Sequence, residues 1–182
     1  MPKEIKNIQK EFFYYKSLGD DTFKQLTEKQ ILWKAGSKSS SIGLVIKHLH
    51  GNMLSRWTDF QSSDGEKKWR NRDEEFIEPK KSKKELLKLW ESGWSCLFEA
   101  LEELNQEDLE KEVFIRNIGQ TIRAAIDRQL CHYSYHVGQI VFIGKMIRNE
   151  NWKSLSIPFG KSKAYNKDRF SKPKRTSHFT DE

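Results

Sequence analysis

The stretch Arg128-Gln-Leu-Cys-His132-Tyr-Ser-Tyr-His136-Val-Gly-Gln-Ile-Val141 decides how this chain is read. It lies inside a longer pattern from Thr121 to Asn149, where Ile122, Ile126, Tyr133, Val137, Ile140, Gly144 and Ile147 mark one helical face. That period predicts a long helix with its apolar side buried. His132 and His136 are four residues apart, so on a helix they stand one turn above the other, about 6 Å apart along the axis. They can converge on one object. Neutral imidazole is a common transition-metal ligand, and two ligands on one rigid helix need no loop to order them. The same spacing also suits two core-edge side chains bonded to nearby hydroxyls or carbonyls, so a third ligand is what separates the readings.

Three more histidines exist: His48, His50 and His178. The segment from Ser41 to Trp57 reads as another helix, with Ile42, Val45, Leu49 and Met53 as its apolar row. His48 and His50 flank Leu49 on opposite sides, each about 100° away, and periodicity does not choose between them. His178 falls in a charged terminal run that is expected to fray, which makes it a poor ligand.

A histidine in an apolar "VIKHLHGNM" context, followed far downstream by "HYSYHVGQI", resembles the DinB-like (YfiT-like) superfamily of metal-binding four-helix bundles. The likeness runs over most of residues 4 to 150. The resemblance implies three ligands, one from the second long helix and an H-x-x-x-H pair from the last, which fall on His48, His132 and His136. "GNMLSRWTDF", "DGEKKWRNRDEEF" and "SIPFGKS" further resemble a bacterial subfamily of unknown function.

Outward from these helices, Ile5, Ile8, Phe12, Phe23 and Leu26 predict a first helix from Lys3 to Leu26. Thr27-Glu-Lys-Gln30 has the form of a capping box ahead of a short turn, and Ser39-Ser-Ser41 offers N-caps for the second helix, which is expected to run to about Phe60. Residues 61 to 81 read as a long polar connection. Its Trp69, Arg70 and Arg72 either reach over the mouth of the bundle or pack locally, and Arg56 and Trp57 face the same choice. Ser82-Lys-Lys-Glu85 is a second capping box, opening a helix with Leu86, Trp90, Trp94, Leu97, Leu101 and Leu104 on its core stripe. Val113 to Thr121, with an Asn117-x-Gly119 turn, predicts a short hairpin leading into the last helix. The expected fold is therefore all-α, an up-and-down-type four-helix bundle with one hairpin. Residues 1–150 form the metal-binding domain, and 151–182 a basic tail, extended over 151–166 with Trp152 and Phe159 as pins and frayed beyond.

Composition narrows the class. The chain has 182 residues, a net charge of +7, 36% hydrophobic and 32% charged residues, which suits one helical domain with charged outer faces. Residues 161 to 182 hold seven basic against three acidic side chains, net +4. The remainder carries 26 basic and 23 acidic, net +3. A basic end on a nearly balanced body reads as solvated rather than as a nucleic-acid groove. No membrane-length apolar run and no secretory signal is evident, so a cytoplasmic home is expected. Cys96 and Cys131 then read as reduced core thiols. Gly160-Lys-Ser162 imitates the end of a phosphate loop, but Leu155 stands where that motif needs glycine.

Three imidazoles around one ion leave a coordination position open, the arrangement of catalytic rather than closed structural sites. The ligand set does not name the metal; a divalent transition ion, with zinc or nickel foremost, is expected. Asn52, Gln129 and Gln139 are candidates to orient the imidazoles, and Asp59 and Asp127 to accept a proton. The resemblance implies an enzyme that joins a low-molecular-weight thiol such as bacillithiol, mycothiol or glutathione to an electrophile, or a hydrolase, and also a homodimer. The alternative is a non-catalytic or stress-related metal-binding bundle.

Overall fold

In the computed structural model, which describes residues 2–181, the apolar rows become four long helices. They are α1 (Lys3–Lys24), α3 (Ile42–Trp57), α4 (Lys83–Glu102) and α5 (Ile122–Arg148), with a single-turn α2 (Glu28–Ile31) between the first two. A two-stranded hairpin, β1 (Glu112–Ile115) and β2 (Ile118–Thr121), precedes α5, and α6 (Ser162–Phe170) follows it. The expected all-helical bundle with one hairpin is what forms.

Helix starts fall where hydroxyl side chains can take up free backbone N–H groups. Ser41 Oγ accepts from the Leu44 amide at 3.0 Å, and Thr121 Oγ1 from that of Ala124 at 3.1 Å. Thr27 and Ser82 complete both halves of their capping boxes with Gln30 and Glu85. Caps of this kind contribute about 1 kcal/mol each.

Helix α1 packs beside α4 and α5, and α3 beside the same two. The pairs α1/α3 and α4/α5 therefore face across the bundle, and the connections joining them cross its ends. Phe12, Trp90, Trp94 and Tyr133 fill the middle, each buried, with the Trp94 ring 6.4 Å from Phe12 and 5.9 Å from Tyr133. Tyr133 sets the rotation of α5. Its hydroxyl accepts from Trp57 Nε1 at 3.0 Å and donates to Asn52 Oδ1 at 3.1 Å, so α5 cannot turn without stranding buried polar atoms. With Tyr133 inward, His132 and His136 face α3.

The hairpin differs in detail from the sequence reading. Its turn is Arg116-Asn117, both at positive φ, and Gly119 pairs with Phe114 inside the strand. Positive φ at both central residues matches the right-handed twist of two-residue hairpins. Asp64 replaces what glycine would have supplied: its carboxylate accepts from the amides of Arg116 and Asn117 at 2.8 and 2.9 Å. The long connection is thereby tied to the hairpin. A turn at Asp73–Phe76 then lays it along α3, where the Lys47 ammonium donates to the carbonyls of Glu74 and Ile77.

Three readings of the periphery are corrected. Residues 162–170 are helical, because Lys161 to Phe170 holds neither proline nor glycine to stop a turn, and Phe159 is fully exposed rather than a pin. The segment expected to fray makes contacts with α1: Phe179 meets Tyr14 edge-on at 5.1 Å and Lys10 pairs with Asp181 at 2.6 Å. Cys131 is exposed rather than a core thiol, while Cys96 is half-buried and packs at the edge of the core.

Gly19 of α1 lies against the Trp90 side chain of α4. A Cβ there would stand 2.5 Å from the Trp90 ring, which is 2% exposed and fixed by its Nε1–H donating to Asp20 at 2.7 Å. Gly19→Ala is expected to lower the unfolding free energy by about 1–3 kcal/mol in urea titration, since the indole has nowhere to retreat. An unchanged or raised midpoint would show that the two helices can part there at no cost.

Candidate metal centre

His48 on α3 and His132 and His136 on α5 come together. One ring nitrogen from each lies within 4.8 Å of the other two. Nε2 of His132 is 3.1 Å from Nε2 of His136 and 3.5 Å from Nε2 of His48. His48 is buried and the other two are half-buried. The choice between His48 and His50 is settled by position: His50 lies where the backbone of α3 touches Gly93 of α4, outside the group. His178 bonds Thr180 beside α1 and is also outside.

Two of the three rings are oriented from behind. Nδ1 of His48 donates to Glu75 Oε2 at 2.9 Å, and Nδ1 of His136 to Gln139 Oε1 at 2.9 Å. With those protons committed, each ring turns its Nε2 lone pair toward a common point. At these separations the three ring nitrogens can share one cation. Burial first, then the charges of His136, His48, Arg56 and Arg70, push the His132 imidazole down to about 3, which keeps the ring neutral and able to act as a ligand. Burial also lowers His136, partly offset by its bond to Gln139. The donor set thus fits a divalent transition ion.

Glu75 is a residue that no local pattern singles out. It sits in the long connection, 5% exposed, and Arg70 clamps it with Nε to Oε1 at 2.7 Å and Nη2 to Oε2 at 2.8 Å. Burial alone would raise its carboxyl; the bonds from His48 and Arg70, with the charge of Arg70, outweigh that and hold it below the ordinary value. Of the orienting residues read from sequence, Gln139 takes that role. Asn52 serves Tyr133 instead, and Gln129 Oε1 is buried without a hydrogen-bond partner among the described residues. Neither proposed proton acceptor is at the centre. Asp59 lines a separate cavity with Cys96 and Glu99, and Asp127 is exposed and does not line the histidine cavity.

That cavity measures about 460 Å³, and Arg56, Arg70, Arg72, Arg116 and Arg128 contribute to its wall along with Phe76, Tyr135 and the three histidines. Arg70 and Arg72 thus reach the mouth of the bundle, while Trp69 lies 59% exposed outside it.

The family described as "Protein of unknown function (DUF1572)" matches residues 3–161. The chain belongs to that family. DUF1572 is grouped in the DinB/YfiT-like clan, which agrees with the resemblance drawn from the VIKHLHGNM and HYSYHVGQI segments. Among curated proteins none matches the chain. The match to DUF1572 spans all three histidines, Glu75 and all five cavity arginines, so the whole centre lies within the family region.

Gly51 makes the approach of Glu75 possible, since a Cβ there would run into Glu75 Oε1. Gly51→Ala and Glu75→Gln are each expected to weaken zinc binding by about 10- to 100-fold, the usual effect of losing an outer partner of a metal-bound imidazole. Competition titration against a chromogenic chelator reads this directly. Wild-type affinity in both variants would mean that His48 needs no support from behind.

Proposed function

We propose that this chain is a metal-dependent enzyme that handles a small thiol or a hydrolysable substrate at a centre held by His48, His132 and His136. The observation that carries the reading is the convergence of three Nε2 atoms with two rings fixed from behind by Glu75 and Gln139. A divalent ion held by three imidazoles supplies a Lewis acid at its remaining position. The chain's own residues do the rest: Glu75 and Gln139 keep the rings aimed, and the cavity wall bounds the space where a substrate meets the centre. In the thiol reading, sulfur forms a bond to carbon of an electrophile, the leaving group departs with its electron pair, and the thiol proton passes to water. Zinc and nickel are the ions we favour.

One observation favours a second reading, a metal-binding bundle without turnover. Among the described residues, no carboxylate lines the cavity to act as a general base.

Metal analysis of purified protein, followed by glutathione consumption with monochlorobimane, separates the two. About one ion per chain is expected, lost in His132→Ala together with thiol turnover. One ion per chain with no thiol consumed would leave the binding reading; no ion under any loading condition would remove both.

A further inference from the structure

The cavity around the histidines holds more positive charge than its own contacts use. Among the described residues, five arginines line it and no Asp or Glu does. Behind the wall, Glu66 Oε2 pairs with Arg56, Arg70 and Arg116 at 3.3, 3.3 and 3.1 Å, while Glu75 takes Arg70. Five guanidinium groups against two carboxylates leave three charges unbalanced, and the imidazoles, when neutral, bring no negative charge. Arg72 and Arg128 form no ion pair among the described residues. Arg72 lies over the Phe76 ring at 4.9 Å, and that ring is 5.0 Å from the His48 ring. Arg128 is one helical turn before His132, on the same side of α5 as both its histidines. Two guanidinium groups without a carboxylate partner thus line one cavity from different elements, the connection and the last helix.

We infer that this cavity selects a small oxyanion, a molecule carrying a carboxylate or phosphate group that Arg72 and Arg128 hold. Arginine presents paired donors whose geometry matches either group, and a partly desolvated concave site strengthens the attraction. A divalent ion at the histidines would add two more positive charges, so the selection becomes stronger when the centre is loaded. The arginine end of this inference stands on the charge balance alone; only the strengthening by the ion rests on the proposed function.

The test is calorimetric titration of the full chain, with and without zinc, by succinate and glycerol 3-phosphate, each against its neutral counterpart, succinamide or glycerol. At least one anion is expected to bind about tenfold or more tightly than its counterpart, since a charge-assisted bond contributes roughly 1.5–3 kcal/mol. Which anion prevails identifies the group. Arg72→Gln/Arg128→Gln should abolish the preference while zinc content and melting temperature stay as in wild type. Arg128→Gln alone, an exposed change on a helix, should reduce it and guards against misfolding of the pair. Equal binding of charged and neutral compounds, or a preference that survives in the double variant, would overturn the inference. A preference that depends on the arginines in a chain that takes up no zinc would remove the metal reading and leave this one. Zinc uptake without the preference would do the reverse.

Discussion

A carboxylate that cannot reach water governs the centre. Glu75 is buried under α3, and a buried charge persists only when it is paired and hydrogen-bonded. Its oxygens are divided between the Arg70 guanidinium and Nδ1 of His48. Removing one partner of such a buried set typically costs about 3–5 kcal/mol, so the long connection is held to the bundle by the same contact that aims a candidate ligand. The placement of the connection and the orientation of His48 thus depend on the same carboxylate.

The second fixed point is Tyr133. It stands between the two histidines of α5, and its hydroxyl is bonded to Trp57 and Asn52 of α3. The two helices bearing the three imidazoles are therefore locked to each other by a buried bond in the core, next to the cavity. The hairpin supports the far side, because Asp64 gathers its turn and Arg116 reaches back to Glu66. Of the arginines around the cavity, Arg56, Arg70 and Arg116 are thereby tied to the connection through Glu66, and Arg70 also through Glu75.

Much of this was legible in the chain. Apolar rows at helical spacing gave α1, α3, α4 and α5 with ends within a few residues, and Ser41, Ser82 and Thr27 announced their caps because that chemistry is local. His132 and His136 were legible as a pair because i, i+4 spacing is a property of one helix. Periodicity did not choose His48 over His50, since both flank Leu49 equally; the DinB-like resemblance pointed to His48, and the packing of α3 against α4 and α5 distinguishes the two sides. Glu75 was invisible for a related reason: nothing local separates it from Asp73 and Glu74, and its role comes from how the connection folds onto Gly51. The hairpin was placed correctly but its turn was not, because Asp64, 52 residues away from Arg116 in sequence, supplies the acceptor that stabilises positive φ. Tail behaviour was misread because contacts such as Phe179 with Tyr14 join the two ends of the chain.

The central claim is that three imidazole nitrogens from α3 and α5 meet on one ion. X-ray absorption at the zinc edge of the loaded protein measures that coordination shell without reference to any activity. The account predicts a shell containing three imidazole nitrogens at about 2.0–2.1 Å, reduced to two in His48→Ala. A shell of oxygen donors alone, or one unaltered by loss of His48, would contradict it.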